Sequence, residues 1–193
     1  MNIEQCIKES IEVKNRLLAN PDLLLGIANL SMKAAEVLKN KGRILLCGNG
    51  GSAADAQHIA AELSGRFMLD RDSLDAEALH VNSSYLTSVA NDYSFDEVYA
   101  RLVRAKGRAG DMLIAISTSG NSPNIVSAVK AAKEAGLITV GLTGVGGGQM
   151  KNLVDFLINI PSDVTPRIQE AHILIGHIFC QQVEEEMFGK ERQ

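Results

Sequence analysis

The scarcest chemistry-bearing residues in this 193-residue chain are its four histidines, His58, His80, His172 and His177. His58 is followed four residues later by Glu62, in an alanine-rich stretch that reads as a helix. On a helix the two share one face, about 6 Å apart along the axis. An imidazole and a carboxylate so placed can bind a metal, pair a base with an acid, or form a plain surface ion pair. Spacing alone leaves all three open. Further on, Gln169, Glu170, His172 and His177 fall among Ile168, Ile173, Leu174, Ile175 and Ile178. That helix is too apolar to be fully exposed, so His172 reads as a bonded core histidine. Gln169 and His177 are separated by roughly 80° around a helix axis, and one broad face presents both. The spacing permits a His58/Glu62/Gln169/His177 cluster without requiring one.

Two loops are furnished for an anion. Gly48-Asn49-Gly50-Gly51-Ser52 leaves an apolar run and enters a helix, and its glycines allow backbone N–H groups to approach a phosphate at the helix start. The run Ser117-Thr118-Ser119-Gly120-Asn121-Ser122-Pro123 carries four hydroxyls directly before another helix, with Ser122 as N-cap and Pro123 at N1. No GxxxxGK[ST] loop is present, so the nucleoside-triphosphate reading is excluded. Gly48, Gly50 and Ala53 match G-x-G-x-x-A, but the acidic residue that should close the second strand of a dinucleotide fold is missing; that strand ends His80-Val81-Asn82. A small phosphorylated molecule fits the two loops better than a nucleotide does.

The elements that must position these residues follow from apolar patterning. Ile3, Ile7, Ile11 and Leu17/Leu18 recur at helical spacing up to Asn20-Pro21-Asp22, and a second pattern runs from Leu23 to Leu38. The expectation is a helical hairpin over 1–41, both helices carrying broad apolar faces in need of a partner surface. From Arg43 the chain alternates strand and helix: strands are expected over 43–47, 77–81 (the weakest), 111–116, 137–142 and 156–160. Helices follow the two loops, and a last long helix starts at Thr165-Pro166, with Thr165 as N-cap, and ends near Met187. This is an α/β chain with a doubly wound, mainly parallel five-stranded sheet flanked by helices. In such a sheet, ligands sit beyond the carboxyl ends of the strands.

Composition narrows the class further. Nineteen basic against 23 acidic residues, with 46% apolar content, describe an ordinary globular chain and argue against nucleic acid as a partner. No apolar run approaches a membrane span, and the first residues lack the pattern of a secretory signal. Cys6, Cys47 and Cys180, odd in number and scattered, read as reduced thiols, so a cytoplasmic location is expected.

Five segments together carry a family resemblance: Cys-Gly-Asn-Gly-Gly-Ser-Ala-Ala-Asp-Ala-Gln-His (47–58), Ala-Glu-Leu-Ser-Gly-Arg-Phe (61–67), Asn-Asp-Tyr (91–93), Ser-Thr-Ser-Gly-Asn-Ser (117–122) and Arg-Ile-Gln-Glu-Ala-His (167–172). In this order they resemble the phosphoheptose isomerases of the sugar isomerase (SIS) domain proteins, and the likeness covers nearly the whole chain. It implies a single SIS domain over 1–193, with the hairpin (1–41) used in oligomer packing and the α/β core with its last helix in 42–193. It further implies interconversion of D-sedoheptulose 7-phosphate and D-glycero-D-manno-heptose 7-phosphate, the first step toward activated heptoses of bacterial surface polysaccharide such as lipopolysaccharide. By the same resemblance Ser117, Thr118, Ser119 and Ser122 form the phosphate pocket. Asn49, Gly50, Gly51, Ser52, Asn91 and Asp92, with His58, Glu62 and Gln169, contact substrate. His58, Glu62, Gln169 and His177 hold one zinc per subunit, and Glu62 and His177 move the protons. The resemblance also implies a homotetramer with sites at subunit interfaces. One stretch departs: many relatives carry Thr-Thr-Asp where this chain has His80-Val81-Asn82.

Three alternatives share the scaffold. A binding relative that associates with the replication initiator lacks, in its familiar form, the acid matching Glu62, which is present here. A sugar-phosphate-sensing regulator needs a basic recognition helix that the first forty residues do not offer. An isomerase acting on another sugar phosphate is distinguished by pocket shape, which sequence does not display.

Overall fold

The computed structural model describes residues 2–189. Five strands, β1 (Ile44–Gly48), β2 (Ala76–Ala78), β3 (Met112–Ile116), β4 (Ile138–Thr143) and β5 (Phe156–Asn159), form one sheet in the order β2-β1-β3-β4-β5. Every pairing is parallel, and Ile44 lies opposite both Ala76 and Met112. Connections leave β1 in both directions, so the strand order reverses between β1 and β3. That switch point is where the two candidate loops emerge.

Period-two alternation divides the core. Ile44 and Leu46 of β1, with Met112, Ile114 and Ile116 of β3, face one side. Leu45, Cys47, Leu113 and Ala115 face the other. The first side is covered by α2 (Pro21–Lys39), α3 (Gly51–Ser64) and α7 (Thr165–Phe188). The second is covered by α4 (Ser83–Asp92), α5 (Val98–Lys106) and α6 (Pro123–Glu134). With both faces buried, the central strands read as continuous apolar runs.

Helix α1 (Ile3–Leu18) stands apart. It buries Val13 and Leu17 alone, while Ile3, Ile7, Ile11 and Leu18 are all more than half exposed. Asn20 closes the junction by accepting the Leu23 N–H at 3.1 Å, with Pro21 as the first residue of α2. The two expected N-terminal helices are present, and both pack on α7 as well as on each other.

Other expectations are corrected. The second strand is shorter and earlier than 77–81. It ends at Ala78, because Asn82 turns the chain by accepting the Tyr85 N–H and capping α4. Helices α4 and α5 were not expected: α4 buries only Val89, too little to write a periodic pattern, and α5 is nine residues long. Thr165 is not the N-cap of α7; Val164 holds that position, without a side-chain bond. No helix among the described residues is long and apolar enough to cross a membrane.

Candidate active site

The glycine loop turns sharply after β1. Gly50 has φ +54°, a left-handed backbone that favours glycine. Helix α3 then begins with no side-chain cap; the Ser52 and Ala53 N–H groups donate to the Asn49 and Gly50 carbonyls at 3.0 and 3.1 Å. Gly51 is needed for a different reason. A Cβ on it would lie 2.6 Å from the Gln169 side-chain nitrogen, so the missing side chain is the space that Gln169 occupies. Tyr99 of α5 holds the loop from below, donating its hydroxyl to the Gly48 carbonyl.

The serine loop faces it from β3. Ser117 is buried, and its Oγ lies 3.1 Å from Ser122 Oγ, so the Ser122 hydroxyl pairs inward rather than capping α6. Ser119 Oγ accepts the Asn121 N–H at 3.1 Å, and the Thr118 carbonyl accepts from Gly144. A cleft of about 330 Å³ opens beside Thr118 and Ser119, walled by Gly144, Val145, Thr165 and Ile168. Asn124, which sequence reading missed, joins the two loops: its amide and that of Asn49 exchange reciprocal 2.8 Å hydrogen bonds. The Asn49 side chain is therefore engaged in setting the loop spacing. Its signal was its position after Ser122-Pro123, inside the first turn of α6.

The titratable residues meet where α3 crosses α7. His58 Nε2 lies 3.2 Å from Glu62 Oε1 and 3.0 Å from His177 Nε2. The spacing on α3 is thus part of a three-residue chain, not a surface pair alone. A proton on His58 Nε2 faces both acceptors. The crossing is close because α7 carries Gly176, whose Cβ would lie 2.6 Å from Ile59 Cδ1. Ile59 and Gly176 are the chain neighbours of His58 and His177. Phe67 stacks on the His177 ring, centroids 5.7 Å apart at 18°.

Asp55 was also missed, though it sits three residues before His58 on the same face of α3. It is 6% exposed, its Oδ1 is 3.4 Å from Gln169 Nε2, and its Oδ2 has no protein partner. Burial raises its carboxyl above the ordinary carboxylate range, opposed by the Gln169 hydrogen bond and by His58 and His177. His172 is fully buried as expected, with Nε2 3.2 Å from the Thr143 carbonyl, but Nδ1 lacks a partner. Burial lowers its pKa to about 4.

Not every expected residue converges. Asn91 and Asp92 close α4, exposed, with the Asn91 amide donating to the Asp92 carboxylate at 2.9 Å. Neither hydrogen-bonds to the two loops. Nor do any three His, Cys, Asp or Glu side chains among the described residues form a ready metal cage. The donors are nonetheless suited to zinc by type. The His58–Glu62 and His58–His177 separations are close to the roughly 3.3 Å between ligand atoms of a tetrahedral zinc site.

Comparison with known proteins agrees with this architecture. Residues 11–144 match the SIS domain. A phosphoheptose isomerase of Clostridium acetobutylicum is 52% identical over 189 residues, covering 98% of this chain and 96% of the relative. Among solved structures, a phosphoheptose isomerase from Neisseria gonorrhoeae superposes with TM-score 0.88 at 44% identity, over 94% of this chain and 97% of the other. One from Francisella tularensis superposes with TM-score 0.91 at 36% identity, over 95% and 96%. The described site and these likenesses lead to one conclusion: the chain belongs to the SIS domain family and, within it, to the phosphoheptose isomerases.

Proposed function

We propose that this enzyme interconverts D-sedoheptulose 7-phosphate and D-glycero-D-manno-heptose 7-phosphate, opening the route to activated heptoses. The observation that carries the reading is the Glu62–His58–His177 chain, reached from the same strand ends as two loops suited to a phosphate. Ketose–aldose exchange removes a proton from C1 while the C2 carbonyl oxygen gains one, giving an enediol. The C1 hydroxyl then loses its proton as C2 is protonated, and the C1 carbonyl forms. A carboxylate and an imidazole across the substrate supply both transfers. Glu62 and His177 are the proposed pair, with His58 between them to hold or relay a proton. Ser117, Thr118, Ser119 and Ser122, with the uncapped start of α6, anchor the phosphate. Gln169, steadied by Asp55 and seated against Gly51, orients the sugar hydroxyls. Gly50 and Gly51 offer backbone N–H groups, and Ser52, Asn91 and Asp92 remain proposed substrate contacts.

His58, Glu62, Gln169 and His177 are the residues proposed to hold one zinc per subunit. When bound, the metal polarises the substrate oxygens and stabilises charge developing there. A zinc-bound carboxylate or imidazole is a weaker base, so liganding and proton transfer belong to different states of the site.

The exposed apolar face of α1 supports a homotetramer, and the free cysteines support the cytoplasm as its compartment. Within the departing stretch, Asn82 caps α4, a task the Asp of relatives performs equally. Val81 is exposed there, so the change leaves the proposed proton-transfer residues untouched.

The test is conversion of sedoheptulose 7-phosphate followed by NMR, after chelation and after zinc is restored. Appearance of the manno-heptose phosphate is expected, faster with zinc. No conversion in either condition by folded protein overturns the proposal.

A further inference from the structure

One buried ion pair lies behind the site and reaches the proposed proton carriers through the backbone carbonyl of Glu62, not through a side chain. Glu184 is 1% exposed and its Arg71 partner is nearly as buried. A carboxylate removed from water persists only with its lone pairs filled. Glu184 meets that demand in an unusual way: Oε1 accepts the Phe67 N–H and Arg71 Nε–H, both at 2.9 Å, and Oε2 accepts the Met68 and Leu69 N–H groups at 2.8 and 3.0 Å. Arg71 turns its other donors on the end of α3, reaching the Glu62 carbonyl at 2.9 Å and the Leu63 carbonyl at 2.8 Å. Those carbonyls belong to the last turn of α3, where no intrahelical partner is available.

The pair therefore grips three things at once. It holds the backbone of Glu62, the turn that carries Phe67, and α7 two turns beyond His177. Phe67 completes the connection, since its ring lies nearly parallel to the His177 imidazole while its N–H is fixed by Glu184. His177 is bounded by His58 at its edge and by Phe67 on its face.

We propose that Glu184 and Arg71 are positioning residues, acting through Phe67 and the last turn of α3 to set the His177 ring plane and the Glu62 backbone for proton transfer. The inference rests on the isomerase reading above, which names Glu62 and His177 as the proton-transferring pair. An ion pair serving the fold alone could sit anywhere along α7. This one bonds the Glu62 backbone directly and reaches His177 through Phe67.

The experiment compares Phe67→Leu, Phe67→Tyr and Glu184→Gln in the full chain. Phe67 is half-buried, so its substitution leaves the buried ion pair in place and the thermal midpoint close to that of the parent. Two readouts are taken. In histidine-labelled protein the His177 ring signal, assigned by its loss in His177→Gln, moves downfield in Phe67→Leu as the aromatic ring current disappears. It returns in Phe67→Tyr and moves in the same sense in Glu184→Gln. In turnover of sedoheptulose 7-phosphate, kcat falls about tenfold or more in Phe67→Leu with KM within about twofold, and Phe67→Tyr restores it. An unmoved ring signal or an unchanged kcat in Phe67→Leu overturns the proposal. If Glu184→Gln no longer unfolds cooperatively, the two Phe67 variants decide. Failure of the parent protein to convert the sugar overturns the isomerase reading instead, and the ring signal then decides the positioning on its own.

Discussion

At the scale of single residues, proximity rather than residue type distinguishes the candidate site. His58, Glu62 and His177 are ordinary side chains brought within 3.0 and 3.2 Å of one another. Exchanging Glu62 or His177 for Gln removes a titrating group while keeping volume and hydrogen-bonding capacity. Both are partly exposed, so the fold should persist. The expected result for Glu62→Gln and His177→Gln is a loss of turnover on the order of 10²-fold or more with an unchanged circular dichroism spectrum. Near-parental rates in either would remove that residue from the proton-transfer pair. The Asp55 Oδ1–Gln169 contact and the reciprocal Asn49–Asn124 amides belong to this scale too. They hold Gln169 and the loop spacing. Asp55 lay on the legible face of α3, three residues from His58, but nothing in its spacing showed that α7 would bring Gln169 to it.

At the scale of elements, the site depends on how closely α3 and α7 cross. Gly176 makes the approach possible, and its neighbour His177 benefits. In an isolated helix, Gly→Ala is stabilising by about 1 kcal/mol. Here the added methyl would press on Ile59 at 2.6 and 2.8 Å in a packed core. Overpacking of this kind costs about 1–3 kcal/mol, so the steric effect outweighs propensity. Gly176→Ala is expected to lower the denaturant midpoint and kcat together. Adding Ile59→Val, which removes the crowded Cδ1, should recover part of both, and a strictly additive double variant would show that the two positions do not share the crossing. The strand pattern was legible because β1, β3 and β4 are buried on both faces and read as unbroken apolar runs. The short edge strand β2 and helix α4 bury too little to leave such a pattern, and α5 is only nine residues long.

Two properties belong to the whole molecule. The first is acid stability. His172 is buried uncharged, and its folded pKa of about 4 lies below the unfolded 6.5. The unfolded chain therefore binds the proton first. The stability contributed by the neutral imidazole is complete above pH 6.5 and is lost progressively between pH 6.5 and 4. The span corresponds to a few kcal/mol, roughly 3. Glu184 acts at lower pH. Burial raises its carboxyl, but the N–H groups of Phe67, Met68 and Leu69, and Arg71, together hold it below the usual range, so its contribution persists until pH falls beneath ordinary carboxylate values. Urea titrations at stepped pH should show the first loss in the histidine window, and His172→Gln should flatten it. The second property is association. Ile3, Ile7 and Ile11 form an exposed stripe on a helix that buries only two residues of its own. If the proposed homotetramer uses this stripe, Ile7→Glu with Ile11→Glu is expected to reduce the mass found by sedimentation below that of a tetramer, and an unchanged tetramer mass would place the interface elsewhere.

By itself, the sequence determined the α/β class, the central strands, both candidate ligand loops and the residue types at the candidate site. These are local quantities: hydrophobic period, loop composition and helical spacing are written in consecutive residues. The tertiary structure decided what depends on residues far apart in the chain. His58 and His177 are separated by 119 positions, and their 3.0 Å approach follows from a glycine on one helix accommodating an isoleucine on another. The same holds for the Asn49–Asn124 exchange and for the Arg71–Glu184 clamp. No spacing rule encodes these contacts, because each exists only after burial of the apolar faces has chosen which helices meet.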